Sequence, residues 1–278
     1  MILTGLIGWP VAHSKSPTMH NAAFAAAGLD GRYVLLPVAP ERVREAVPGL
    51  RALGFRGANV TVPHKQAVMP FLDALTPEAR AIGAVNTILV QKNGDLLGTN
   101  TDAAGFMADL RALDVPLAQV AATGALVLGA GGSARAVVYA LAQRNIPVSV
   151  LARRPEQAQA LVSTLSDHLP AKTRLSAHPW SRIAHLAPNA QLIVNCTPVG
   201  MSPHIHAMPW PATLPFSRQQ YLYDLIYNPR QTELMAHARA TGAQAHHGLG
   251  MLIHQGAQAW HLWTGQPAPI AVMRAAVE

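Results

Sequence analysis

The chain has 278 residues, half of them hydrophobic and only 13% charged, with a formal charge of +7 and a single cysteine. Its length suffices for one large domain or two modest ones with cores of their own, and its hydrophobic content excludes a disordered, highly charged chain. A lone Cys196 excludes an internal disulfide or zinc–thiolate cluster and suits a reducing, cytoplasmic setting; basic residues that are mostly scattered Arg, with no Lys/Arg stripe among aromatics, point to small anionic ligands and away from nucleic acid.

The apolar opening has no basic leader and is interrupted by Gly5, Gly8 and Pro10, so it reads as a buried strand over Leu3–Gly8 and not as a signal peptide. Ser16-Pro17 predicts a helix N-cap followed by Pro at the first helical position, and Gly28 closes that helix. A strand over Tyr33–Val38, a helix over Pro40–Leu53 and a strand over Ala58–Val62 follow. Asn93-Gly94 is a strong hairpin signal between Asn86–Val90 and Asp95–Thr99, which predicts a mixed sheet in the first hundred residues. A helix from Asp102 to about Asp114 then leads into a different order. Strand Ala125–Leu128, a glycine turn, a helix from Ser133 and strand Val148–Leu151 make a βαβ unit with a parallel sheet. Leu192–Asn195 and Leu222–Leu225 predict further strands, and Gly250–Thr264 a helix that returns to the first lobe. Apolar stretches such as Ala118–Ala130 are too short to span a bilayer, so no membrane contact is expected. The fold class is α/β in two lobes, an N-terminal mixed-sheet lobe and a Rossmann-like parallel-sheet lobe.

Gly129-Ala130-Gly131-Gly132-Ser133-Ala134 fits G-x-G-x-x-A directly after a strand and at the opening of a helix. There the first glycine makes the turn, the second lets backbone approach a pyrophosphate, and the helix N-terminus presents free N–H groups to it. The next strand ends Leu151-Ala152-Arg153-Arg154. No acid stands there for a ribose 2′-hydroxyl, and two guanidiniums suit a 2′-phosphate, so the cofactor expected is NADP. The plainer alternatives are a glycine-rich turn and a solvated Arg pair.

In the first lobe, Ser14 and Ser16 sit at a strand-to-helix turn as neutral donors with no acid beside them, which suits a carboxylate. Strand Asn59-Val60-Thr61-Val62 stops at Pro63 and delivers Lys65, one of few lysines in an Arg-rich chain. Thr99-Asn100-Thr101-Asp102 puts a carboxylate at a helix start, for which an N-cap is the plainer reading. The histidines, His204 with His206 and His246 with His247 among them, lack a zinc-site context, and no metal is expected.

Together with Gly83-Ala84-Val85-Asn86-Thr87, Asn195-Cys196-Thr197-Pro198, Tyr223-Asp224-Leu225-Ile226-Tyr227-Asn228-Pro229 and Gly248-Leu249-Gly250-Met251-Leu252-Ile253-His254-Gln255, these segments resemble the motifs of the shikimate dehydrogenase family, in the family's order and over nearly the whole chain. The resemblance implies a substrate-binding catalytic domain over 1–103 and 248–278, and an NADP-binding domain over 104–247. It implies reversible NADPH-dependent reduction of 3-dehydroshikimate to shikimate by a monomer or homodimer. Lys65 and Asp102 match the catalytic pair. Ser14 and Ser16 match the holders of the substrate carboxylate, and Thr61, Asn86, Tyr227 and Gln255 match groups around the ring hydroxyls. Gly129, Ala130, Gly131, Gly132 and Ser133 match the phosphate turn, while Thr197, Leu225 and Gly248 fall where the family meets the nicotinamide. The family's Asn-Arg-Thr after the second strand is Ala152-Arg153-Arg154 here, which removes a polar contact and adds a cation. Two rival readings are a quinate-tolerant relative with relaxed cofactor use, against which the paired serines and the Arg pair speak, and a non-catalytic shikimate-binding module, against which retention of both Lys65 and Asp102 speaks.

Overall fold

Five consecutive buried residues and a run of apolar ones place Ile2–Gly8 (β1) inside a six-stranded sheet, parallel to β2 (Gly31–Pro37) on one side and to β3 (Gly57–Val60) on the other. The computed structural model describes residues 1–170 and 172–278. Beyond β3 the sheet turns antiparallel through β5 (Thr87–Val90) and β6 (Leu96–Thr99), and the short β4 (Ala74–Leu75) adds to its edge in the order β2-β1-β3-β5-β6-β4. The predicted hairpin is present, with Gly94 at φ +89° in its turn. Helices α1 (Ser16–Ala26), α2 (Val43–Ala52) and α3 (Pro77–Ile82) connect these strands, and α4 (Asp102–Ala112) follows β6. Ile7, Val47, Leu50, Val60, Ile88 and Leu96 are buried in one cluster.

The second sheet is all parallel: β7 (Ala125–Leu128), β8 (Val148–Ala152), β9 (Leu175–Pro179), β10 (Leu192–Asn195), β11 (Tyr221–Asp224) and β12 (Gln244–His247), in the order β12-β11-β10-β7-β8-β9. This is the doubly wound arrangement, whose strand order reverses between β7 and β10. Its helices are α5 (Leu117–Thr123), α6 (Gly132–Ala142), α7 (Pro155–Ser166), α8 (Ile183–Leu186) and α9 (Glu233–Ala240), followed by α10 (Leu249–Thr264) and α11 (Ile270–Ala275). Leu126, Leu128, Leu151, Ile193, Leu222 and Leu234 form its core. The chain divides into one unit of Met1–Phe106 with Leu252–Glu278 and another of Met107–Met251, the divisions falling inside α4 and α10.

Three expectations need correction. Ser16 is not an N-cap: α1 begins at Ser16 itself, and the Ser14 hydroxyl accepts the Ser16 N–H at 3.2 Å. The strand expected to reach Val62 ends at Val60, because the Thr61 carbonyl accepts the His64 N–H and turns the chain. The helix expected from Pro40 opens with a 3₁₀ turn over Pro40–Arg42 before α2 starts.

In the first unit His20 of α1 is fully buried and stacks on Tyr33 with ring centroids 4.5 Å apart, beside Trp263 of α10. Burial depresses its pKa to about 3, so the folded protein holds a neutral imidazole. The unfolded chain protonates near 6.5, which means that this stabilisation is complete above pH 6.5 and is lost as pH falls toward 3. Between pH 7 and pH 5 the loss is about 2 kcal/mol. Urea denaturation of wild type and His20→Phe at both pH values should show the wild type losing that much more than the variant. An equal loss in the two proteins rules the imidazole out as the cause.

Candidate active site

The sharpest cluster of the first unit lies where β3, β5 and β6 deliver their ends to α4. Lys65 is 8% and Asp102 4% exposed, and Lys65 Nζ meets Asp102 Oδ2 at 2.5 Å. Asp102 is the first residue of α4, but it does not cap that helix. Asn100 does, its Oδ1 accepting the N–H groups of Asp102 and Ala103 at 3.0 and 3.4 Å. The Asp102 carboxylate is thereby left to side chains: Oδ2 takes Lys65 and Oδ1 takes the Asn86 amide at 2.8 Å.

Asn86 is 2% exposed and its orientation is set from behind. Its Oδ1 accepts from the Thr101 N–H at 2.7 Å and the Thr87 hydroxyl at 3.1 Å, which directs Nδ2 toward Asp102 and toward Gln255 Oε1 at 3.2 Å. Asn59 supports the same layer, donating to the Asn86 carbonyl and Thr87 Oγ1 and accepting from the Tyr33 hydroxyl at 2.8 Å. A buried network with its donors and acceptors matched this closely holds its members in one geometry. Lys65, Asn86, Asp102 and Gln255 are therefore brought together. Ser14 and Ser16 form a second pair at the start of α1, and Thr61 lies just past β3, its N–H on the Ile7 carbonyl.

Asn59, Thr87, Asn100 and Thr101 were not singled out from the sequence. The available signal was an Asn in the fully buried strand Gly57–Val60, since an amide there requires partners. A nearby groove of about 560 Å³, lined by Glu78, Thr101, His254, Gln258 and Leu262 among others, contains none of the nominated residues.

In the second unit the residues singled out from the sequence all lie at or just past the carboxyl ends of parallel strands, where doubly wound sheets bind their ligands. Gly129 has φ +104°, and a Cβ there would press on the Cys196 backbone and Thr197 at 3.2–3.3 Å, so the turn out of β7 requires glycine. Gly131 faces open space where a Cβ would stand, and α6 starts at Gly132. Open backbone beside an uncapped helix N-terminus is the donor set a pyrophosphate needs, and the residues fit a dinucleotide. Ala152 is buried at the end of β8, whereas Arg153 and Arg154 are exposed and form no salt bridge among the described residues.

Thr197 is held through Asn195, whose Oδ1 accepts both its N–H and its hydroxyl, at 3.0 and 2.8 Å. Asn195 in turn donates to Asp224, which also receives Thr232 and the Ile226 N–H. Burial raises the Asp224 carboxyl to about 6, with these three donors opposing the rise. Leu225 donates its N–H to the Asn195 carbonyl, and any Cβ at Gly248 would run into the Leu225 backbone, which explains the glycine. Tyr227 lies in the loop that follows β11.

Residues 6–88 match a family model described as shikimate dehydrogenase substrate binding domain, and residues 248–278 one described as shikimate 5′-dehydrogenase C-terminal domain. A Salinibacter ruber protein named shikimate dehydrogenase (NADP(+)) is 45% identical over 274 residues, covering 98% of this chain and 95% of that one. Among solved structures, the Thermus thermophilus shikimate 5-dehydrogenase in complex with NADP(H) and shikimate superposes with a TM-score of 0.86 at 40% identity, covering 100% of this chain and 98% of the other. A quinate dehydrogenase from Corynebacterium glutamicum in complex with NAD gives 0.87 at 31% identity, covering 99% and 98%.

Proposed function

The chain belongs to the shikimate dehydrogenase family, and from that membership and the buried Lys65–Asp102 pair we infer that it is an NADP-dependent oxidoreductase interconverting 3-dehydroshikimate and shikimate. In the domain assignment we propose, residues 1–103 with 248–278 bind the substrate and carry the catalytic pair, and residues 104–247 bind NADP. When bound, the reduced nicotinamide supplies a hydride for the ketone carbon. Negative charge then develops on the ketone oxygen, and a proton donor aimed at that atom lowers the barrier. Lys65 gives its proton there in reduction and receives the hydroxyl proton in oxidation. Asp102 holds the ammonium in place through the 2.5 Å contact, and Asn86 holds Asp102. Ser14 and Ser16 donate to the substrate carboxylate, while Thr61, Asn86, Tyr227 and Gln255 engage the ring hydroxyls. Gly129 to Ser133 cradle the pyrophosphate, with Ala152, Arg153 and Arg154 beside the adenosine ribose and Thr197, Leu225 and Gly248 toward the nicotinamide.

Among the described residues no helix is long and apolar enough to cross a membrane. A cytoplasmic location and action as a monomer or homodimer complete the proposal, the former supported by a cysteine content of one, which allows no internal disulfide. The observation that carries the reading is the satisfied, buried Lys65–Asp102–Asn86 network. Purified protein mixed with shikimate and NADP should produce reduced nicotinamide absorbance. The four pairings of shikimate or quinate with NADP or NAD should rank shikimate with NADP first by kcat/KM; first place for quinate, or for NAD, overturns the assignment.

A further inference from the structure

We propose that Lys15, which belongs to neither the catalytic pair nor the cofactor turn, is a positioning residue for the two serines that take the substrate carboxylate. The proposal rests on the assignment of Ser14 and Ser16 to that carboxylate.

Lys15 stands between those serines, at the cap position of α1, with helical dihedrals and no side-chain cap bond. A cation at a helix N-terminus is misplaced: it repels the positive end of the helix dipole. Its side chain is drawn off elsewhere, because the partly buried ammonium donates to the Val277 carbonyl at 2.5 Å, across 262 residues of sequence. Val277 is 4% exposed and follows α11, with its own N–H bonded back to the Arg274 carbonyl. Its carbonyl lies at the negative end of α11, where a cation is favoured. One side chain thus leaves the start of α1 without a competing positive charge and ties it to α11, which packs against α1.

The tie acts on the serines through the backbone. Lys15 contributes its carbonyl to the first turn of α1, accepting the Met19 N–H at 3.1 Å. Ser14 is held by its N–H on the Val11 carbonyl and by its hydroxyl on the Ser16 N–H. A shift at Lys15 therefore moves both flanking hydroxyls together, without touching Lys65, Asp102 or the residues that follow the strands of the parallel sheet. The expected signature is selective. Lys15→Met should raise the KM for shikimate by about three- to tenfold, the size of one charge-assisted hydrogen bond discounted for partial exposure, while kcat and the KM for NADP stay within about twofold.

The test measures both Michaelis constants and kcat for wild type, Lys15→Met, Lys15→Arg and Ser14→Ala. Lys15→Arg keeps a charged donor for Val277 and should restore most of the shikimate affinity. If Lys15→Met fails to fold, Lys15→Gln, whose amide falls one bond short of the carbonyl, takes its place in the comparison. A raised shikimate KM in Ser14→Ala together with a wild-type value in the Lys15 variant overturns the positioning role and leaves the carboxylate assignment standing. An unchanged shikimate KM in Ser14→Ala removes the assignment itself. A Lys15 variant whose kcat and NADP KM change as much as its shikimate KM shows a general packing role and also overturns the proposal.

Discussion

Lys65→Ala should lower kcat by roughly a hundred- to ten-thousandfold, the usual contribution of a positioned general acid or base, while the KM for shikimate changes much less. The asymmetry follows from when the ammonium matters. A neutral ketone gains little from it in the ground state, whereas the oxygen that accumulates charge as hydride arrives gains most, so the interaction is realised in the transition state. Asp102→Asn should be impaired in the same parameter, because a neutral amide cannot form an ion pair with the ammonium that Asp102 now holds at 2.5 Å. That variant also leaves a lysine that is 8% exposed without its counter-charge, so its thermal stability should be followed alongside kcat. Steady-state kinetics in the direction of shikimate oxidation decide the matter. Near-normal kcat in a folded Lys65→Ala protein would falsify the assignment of proton transfer to this lysine.

The strands that position these groups were legible because their signals are local. β1, β7, β8 and β10 are short, mainly apolar runs with Gly, Pro or Asn at or next to an end, and Gly129 to Ala134 announces its turn by composition alone. Asp102, the carboxylate of the proposed catalytic pair, was legible as a residue and not as a geometry. Thr99-Asn100-Thr101-Asp102 consists entirely of residues able to cap α4, and only the fold shows that Asn100 caps while Asp102 is released to meet Lys65. The same ambiguity, resolved the same way, underlies Ser14 and Ser16, where again the residue two positions earlier takes the helical N–H.

Two strands that went unread share a cause. β9 and β12 are edge strands of the parallel sheet with polar residues such as His178, His246 and His247, so they lack the continuous apolar run that marks a buried parallel strand. α9 was available from Thr232, which caps it by accepting the Met235 N–H, but a single capping residue is a weak cue without clear helical periodicity behind it. Tertiary partners such as Asn59 with Asn86, or Lys15 with Val277, leave no trace in local pattern, since their sequence separations are 27 and 262 residues.

On the proposed assignment cofactor choice turns on the end of β8, because the glycine turn after β7 suits NAD and NADP alike. Arg153 and Arg154 are exposed there, Arg154 directly preceding α7, and neither is neutralised by a salt bridge among the described residues. Replacing both by Ala should weaken use of NADP by roughly ten- to a hundredfold, since each charge-assisted bond to a phosphate is worth about 1.5–3 kcal/mol before discounting for solvent exposure. NAD has no 2′-phosphate for them to hold, and its kcat/KM should hardly move. The ratio of the two efficiencies therefore falls toward one in the double variant. Salt supplies an independent check: an exposed ionic contact is screened over about 10 Å at 0.1 M, so the wild-type preference should shrink as ionic strength rises while the variant's ratio stays flat. Measuring kcat/KM for both cofactors in both proteins at low and high salt separates the possibilities. A ratio that is the same in wild type and double variant at both salt concentrations assigns the Arg pair to solvated surface and moves the origin of cofactor preference elsewhere in the second unit.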